Sequence, residues 1–367
     1  MLNRLSVSCV RNLVDQTLDL TSGITLITGA NAQGKSSILE SIYLLATTRS
    51  FRTREPREAI AESASFLRVH GHVEHPSQPL FQIGISLGRG RGERHLSVAE
   101  SAPKLVDYLG LLPVLFQAGE SVRVIAGSPA ERRRFMDRVT AAADPTHLAD
   151  LTRYTGALTQ RNRLLRSGAP NQEFEPWEQI LRSVGGRVAM RRREQIAAWQ
   201  QWMGAWPELF PEGRDAQLHY KQATGPENLL NDAAQNEAES WHRLRPVERK
   251  VGVTLTGPHR DDLVIEAAGK DLLRFGSAGQ IRAALSALTL AQARAVRERR
   301  AGVDLILLLD DLDTDLDAAR CFALLEYAAA QGQVIAATSK PEIVPRNIAA
   351  VWHVQAGVAT RQHNPRT

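Results

Sequence analysis

Gly29-Ala30-Asn31-Ala32-Gln33-Gly34-Lys35-Ser36 lies between the β-branched run Ile24-Thr-Leu-Ile-Thr28 and the helix-forming run Ser37-Ile-Leu-Glu-Ser-Ile-Tyr-Leu-Leu-Ala46. The pattern G-x-x-x-x-G-K-S carries weight because strand, loop and helix all stand where a P-loop needs them. Gly29 and Gly34 permit a tight turn, so that the N–H groups of the loop from Ala30 to Gln33 and of Ser37 at the helix start face an anion. Lys35 then reaches terminal phosphates, and the Ser36 hydroxyl is placed to ligate Mg²⁺. These residues imply a nucleoside triphosphate site.

With 367 residues, 43% of them hydrophobic and 23% charged, the chain has the composition of a globular protein of two domains. The first residues contain no uninterrupted apolar stretch of signal-peptide type, and no run approaches the roughly 20 apolar residues of a membrane span. Cys9 and Cys321 lack metal-type spacing and read as buried thiols of a reducing compartment, so a cytoplasmic location without membrane attachment is expected. The formal charge is +5, and all but six of the 45 cationic residues are arginine. Between Arg123 and Arg166 nine arginines face four acids, and the cluster Arg132, Arg133, Arg134 is a candidate phosphate-tracking surface for DNA; pairing inside the protein is the competing explanation.

Alternating segments at 66–73 and 80–87 predict half-buried strands, with 88–94 as the hairpin turn between strands rather than an RNA-binding Arg-Gly segment. Helical periodicity runs over 132–139, 148–166 and 177–206, within a block from about 120 to 245 that holds five of the six tryptophans (177, 199, 202, 206 and 241). Their spacing favours packing over base stacking. Short apolar runs at 306–309 and 334–337 read as buried parallel strands. The expected fold is α/β, a P-loop ATPase head with an inserted α-helical lobe: 1–118 and 251–367 form the ATPase domain and 119–250 the insertion.

The second half of the site appears late. Leu305-Ile-Leu-Leu-Leu-Asp310-Asp311 is a buried strand ending in two carboxylates, as a Walker B motif does. Asp310 is the expected Mg²⁺ partner and Asp311 the residue that orients or deprotonates an attacking water, with Lys35 as the other catalytic group. Upstream, Ser277-Ala-Gly279-Gln280 opens an amphipathic helix and offers a second anion-binding turn. In the order P-loop, S-x-G-Q, Walker B, the chain matches the ABC-type signature, in which Ser277, Gly279 and Gln280 of one subunit contact the γ-phosphate held by another.

On these motifs the sequence resembles the RecF family of bacterial recombination mediators, within the SMC/ABC superfamily. The resemblance spans nearly the whole length and includes Gly127-Ser-Pro-Ala-Glu-Arg-Arg-Arg-Phe-Met-Asp137, the stretch Tyr154–Leu165, Thr256-Gly-Pro-His-Arg-Asp-Asp-Leu263 and Asp310-Asp-Leu-Asp-Thr-Asp-Leu-Asp317. It implies binding of ATP with Mg²⁺ and of single-stranded and gapped DNA, and ATP-dependent homodimerisation. It further implies cooperation with RecR and RecO in loading RecA during DNA repair, replication-fork recovery and the SOS response. Gln117 is implied as a further Mg²⁺ ligand. Phe51 stands where the family usually has His, Ile281 where a polar residue follows the signature, and Asp315 where Glu is usual; at 337–339 there is no His to act as a switch. A slow, switch-like, DNA-dependent ATPase is therefore expected. Two alternatives are a transporter ATPase subunit, disfavoured by the 242 residues between Lys35 and Ser277, and a nucleotide-binding scaffold without hydrolysis.

Overall fold

A computed structural model describes residues 1–53, 55–75, 78–90, 92–118, 127–223, 237–300, 304–312, 316–340 and 348–362. Asp315 and the basic residue Arg123 lie outside the described residues.

The strands are β1 (Leu2–Ser8), β2 (Gln16–Asp19), β3 (Ile24–Thr28), β4 (Phe66–His75), β5 (Gln78–Gly88), β6 (Arg94–Val98), β7 (Val114–Gln117), β8 (Gln217–Lys221), β9 (Asp262–Ala267), β10 (Lys270–Asp271), β11 (Ile306–Leu309), β12 (Gln333–Thr338), β13 (Ala350–Gln355) and β14 (Val358–Gln362). The helices are α1 (Lys35–Thr47), α2 (Leu105–Tyr108), α3 (Pro129–Ala143), α4 (Thr146–Ser167), α5 (Glu175–Gln200), α6 (Glu237–Val251), α7 (Leu272–Phe275), α8 (Ala278–Arg299) and α9 (Ala318–Ala329).

A six-stranded sheet runs in the order β14-β13-β3-β12-β11-β7, parallel throughout except for the antiparallel edge strand β14. The runs read as continuous apolar strands are buried on both faces, and their period of two splits them cleanly. Leu26, Leu307, Leu309, Val334 and Ala336 face one core, with Phe135, Trp199 and the apolar side of α8. Ile27, Ile306, Leu308, Ile335 and Ala337 face a second core, made by α1 and the five-stranded antiparallel sheet β2-β1-β4-β5-β6. The predicted strands at 66–73 and 80–87 are β4 and β5 of this sheet.

Helices α4 and α5 form an antiparallel pair, α4 ending at Gly168 in the left-handed region. The helix expected over 177–206 stops at Gln200, whose side chain instead bonds the backbone of Ala216 and Leu218 and so anchors β8. A small sheet, β10-β9-β8, takes β8 from the middle of the sequence and β9 and β10 from its last third. Trp199, Trp206 and Trp241 are buried, as helical spacing predicts.

The pair α4–α5 is tied to the rest through buried ions rather than apolar surface alone. Arg161, fully buried, donates to Glu178, to Glu248 and to Thr254. Arg245 makes two further bonds to the Glu178 carboxylate, at 2.7 and 2.8 Å. Burying ions without such pairing costs several kcal/mol each, so every member depends on the others. The segment Thr256–Leu263 sits at the centre of this junction. The indole of Trp241 donates to Thr256, Arg192 donates to the Pro258 carbonyl at 2.6 Å, and Tyr154 bonds His259 at 2.7 Å. Burial first, and then neighbouring cations, hold the His259 imidazole down at about 4, so it stays neutral.

Candidate nucleotide-binding site

The P-loop follows the central strand β3, and the other site segments follow its parallel neighbours: Asp310 follows β11, Ser339 follows β12, and Gln117 ends β7. Their register is aligned, with Thr28 opposite Thr338 and Leu309 opposite Gln117. All four segments therefore emerge at the carboxyl edge of one parallel sheet, where an open α/β sheet binds its ligands. The sequence could show each segment but not this convergence.

Within the loop, Gly29 (φ 145°) and Gly34 (φ 118°) occupy conformations closed to other residues at low cost. A side chain on Gly29 would also run into the Val354 carbonyl oxygen of the neighbouring strand. Lys35 is buried, and its Nζ donates to the carbonyls of Gly29 and Ala30 at 2.8 and 2.9 Å, folded over the loop. Gln33 faces away: its Oε1 accepts from Ala356 and its carbonyl from Gly357, which fastens the loop to the β13–β14 turn. A cleft of about 1140 Å³ opens over Asn31, Ala32, Gly34, Lys35, Ser36 and Ser37, and Asp311, Ser339 and Lys340 close its far side.

Asp310 is buried at the strand end and hydrogen-bonds the Ser36 hydroxyl. Burial, reinforced by the neighbouring Asp311 carboxylate, pushes its carboxyl up to about 6. Asp311 takes a left-handed conformation (φ 50°); its amide donates to the Asp310 carboxylate, and its carbonyl accepts from Arg282. The side-chain amide of Gln117 donates to Ser286 at 2.8 Å, while its buried Oε1 has no partner among the described residues. A carboxylate kept protonation-prone by burial, a hydroxyl bonded to it and an orphaned amide oxygen nearby form an all-oxygen donor set of the kind Mg²⁺ takes. The residues fit that ion.

Ser277 caps α8 through a reciprocal capping box with Gln280: the Ser277 hydroxyl accepts from the Gln280 amide, and the Gln280 side chain accepts from the Ser277 amide. Ser277 is exposed, and open space surrounds the Cα of Gly279. None of Ser277, Gly279 and Gln280 lines the cleft of its own chain. Ile281 is buried in the core, which explains an apolar residue there. Phe51 stacks on Phe116 with ring centroids 3.7 Å apart and meets Tyr43 edge-on, an aromatic cluster packed on the second core.

Of the three arginines expected to track DNA, the structure commits two elsewhere. Arg132 is buried in a two-bond ion pair with Asp262, both bonds 2.7 Å, and Arg133 donates to the Asp261 carbonyl. Only Arg134 of the three is exposed. Arg161 and Arg166 of this region also have internal partners, since burial of a guanidinium demands a carboxylate or carbonyl, whereas Arg134, Arg153 and Arg163 are exposed.

Sequence reading missed the roof of the cleft. Glu40, fully buried on α1, accepts two bonds from Arg11 and one from Ser50 and lies 3.8 Å from Arg52. It thereby fixes Arg11 and Arg52, both cleft-lining cations, close to the P-loop. A signal was available: Glu40 is the one acid in an otherwise apolar helical run, and a buried acid requires cations.

A P-loop on the central strand, a Walker B carboxylate at the parallel edge and a solvent-facing signature turn on the long helix α8 define an ABC-type ATPase head. Residues 4–98 match a family model described as an AAA domain. The chain is 33% identical over 384 residues to the "DNA replication and repair protein RecF" of Herpetosiphon aurantiacus, covering 97% of this chain and 98% of that one. The chain belongs to the RecF family. Its fold is similar to a solved "recombination mediator protein RecF-ATP in RecFOR pathway" (TM-score 0.85, 25% identity, 99% of this chain and 97% of that one). It is also similar to a solved "SmcHead bound to the C-winged helix domain of ScpA" (TM-score 0.54, 15% identity, 98% and 96% covered), a likeness of fold.

Proposed function

We propose that this chain is an ATP- and DNA-binding recombination mediator in which ATP joins two copies and slow hydrolysis releases them. The observation that carries the reading is the split site. The P-loop and Walker B elements share one cleft, while Ser277 and Gly279 face solvent and line none of it. A second copy completes the site by presenting Ser277, Gly279 and Gln280 to the γ-phosphate.

In this reading residues 1–118 and 251–367 act as the ATPase domain and 119–250 as a helical lobe. Lys35 exchanges the Gly29 and Ala30 carbonyls for phosphate oxygens, and the loop amides from Ala30 to Ser37 cradle the phosphate chain. Ser36, Asp310 and Gln117 would hold Mg²⁺, which would supply charge neutralisation at the phosphate oxygens. Asp311, at the cleft wall, orients or deprotonates the attacking water. Ser339 lines the cleft at the end of β12, and the absence of a His at 337–339 favours slow turnover. The family assignment supports action on single-stranded and gapped DNA with RecR and RecO, ahead of RecA, in the cytoplasm.

Sedimentation velocity with ATP, ADP or no nucleotide tests the reading. A dimer is expected with ATP alone, and it should be lost in both Lys35→Arg and Ser277→Arg. ATP-dependent dimerisation unchanged in both variants would overturn it.

A further inference from the structure

The five-stranded sheet buries one face against α1 and turns the other outward. That outer face is polar over three successive rows. Cross-strand register sets Ser8 beside Arg68, Arg68 beside Ser86, and Ser86 beside His95. The next row reads Thr17, Ser6, His70, Gly84, Ser97, and the third reads Asp19, Arg4, His72, Gln82.

A groove of about 270 Å³ runs over Gly84 and is lined by Arg68, His70, Ser86, His95 and Ser97. Gly84 makes the groove by lacking a side chain: a Cβ there would come within 2.6 Å of the Ser97 hydroxyl and 2.7 Å of His70 Nδ1. The side-chain amide of Gln82 meets His70 Nδ1 at 3.0 Å, which fixes the imidazole beside Gly84. Burial, then Arg68 and His72, keep this imidazole below its usual range, hence neutral. Arg68 lies over the Phe66 ring at 5.5 Å, a preset planar cation.

Among the described residues no carboxylate lines the groove. The acids at its borders are engaged: Asp15 with Ser8 and Cys9, Asp19 with Arg4, Glu74 with Asn3. A guanidinium, imidazoles and hydroxyls around a glycine floor suit a phosphodiester, whose oxygens accept from all three. An acidic peptide fits less well. The groove lies on the face of the sheet, over strands whose backbone groups pair with one another, and not along the free edge of β6 where a peptide strand would add.

We propose that this sheet face is a phosphate-binding surface for the DNA backbone, with a phosphodiester seated over Gly84 between Arg68, His70 and His95. The proposal rests on the DNA-binding reading above and gives it a location separate from the nucleotide cleft.

The test uses the full chain with ATP and a fluorescein-labelled single-stranded oligonucleotide or duplex, titrated by anisotropy at several KCl concentrations. Arg68→Gln with His95→Gln, both at exposed positions, should weaken binding about tenfold and lower the salt slope by about one for each phosphate no longer neutralised. Gly84→Ala, which fills the floor, should weaken binding with little change in slope. ATP affinity should remain at the unaltered value in all variants, which reports that the head is folded. An unaltered DNA affinity and slope in the double variant would overturn the location while leaving DNA binding intact. Absence of DNA binding by the unaltered chain would overturn the DNA-binding reading, and this inference with it.

Discussion

The backbone amide of Asp310 donates to the carbonyl of Gln117 at 2.8 Å. This bond joins the ends of β11 and β7 and brings a buried carboxylate bonded to Ser36 close to an amide oxygen with no partner among the described residues. Two residues 193 positions apart in sequence thus meet at the sheet edge behind Ser36, and the electrostatics there make the first prediction.

The Asp310 carboxyl sits at about 6 in the fold, against 3.8 for an ordinary aspartate. The folded state binds this proton more tightly than the unfolded chain, so stability falls as pH rises through the window from about 4 to about 6. Above that window the buried charge costs on the order of 3 kcal/mol. Asp310→Asn should therefore raise the stability of the nucleotide-free protein at pH 7.5 by about 1–3 kcal/mol, with the gain vanishing near pH 4. The same variant should lose the Mg²⁺-dependent part of its ATP affinity. Urea unfolding at the two pH values and nucleotide titration with and without Mg²⁺ check both; an equal stability difference at both pH values would refute the electrostatic origin.

Gly29→Ala should abolish nucleotide binding and destabilise the head by about 1–3 kcal/mol, because the loop holds φ at 145° there and the Val354 carbonyl occupies the space a methyl group needs. Calorimetric titration with ATP and a thermal melt measure the two effects. Gly279→Ala is the control: its surroundings are open, so the melt should be unchanged.

Arg132→Gln should cost about 3–5 kcal/mol, since it strands the partner carboxylate of Asp262, whereas Arg134→Gln on the exposed side of α3 should stay within about 0.5 kcal/mol. Chemical denaturation of the two variants separates them. Equal, small effects would mean that the Arg132 pair contributes no stability.

Glu178→Gln should destabilise the α4–α5 junction by about 3–5 kcal/mol, because Arg161 and Arg245 are both buried against this one carboxylate. ATP affinity should hold, as none of these residues lines the cleft. Hydrogen exchange should show the protection loss confined to α4, α5 and α6, and loss spread across β3 and β12 would contradict a local junction.

What was legible in the sequence was short-range. The P-loop, the strand ending at Asp310 and the capped turn at Ser277 are contiguous segments whose chemistry follows from residue type and spacing. Continuous apolar runs marked the doubly buried strands, and helical periodicity marked the tryptophans as core. The basic count between Arg123 and Arg166, by contrast, did not separate exposed arginines such as Arg134 and Arg153 from internally paired ones, because partners such as Asp262 and Glu248 lie roughly a hundred residues away. The same distance hid Glu40 as the anchor of Arg11 and Arg52.

Sequence alone determined that this chain carries a P-loop, a Walker B strand and an ABC-type signature, since each is a local pattern dictated by backbone freedom and charge. Tertiary structure decided which of these share a cleft. Parallel pairing of β7, β11, β12 and β3 sets Gln117, Asp310, Ser339 and the loop along one edge, while α8 leaves Ser277 exposed and outside the cleft. It also decided which arginines reach solvent, because a buried guanidinium is stable only beside the acceptor that the fold brings to it.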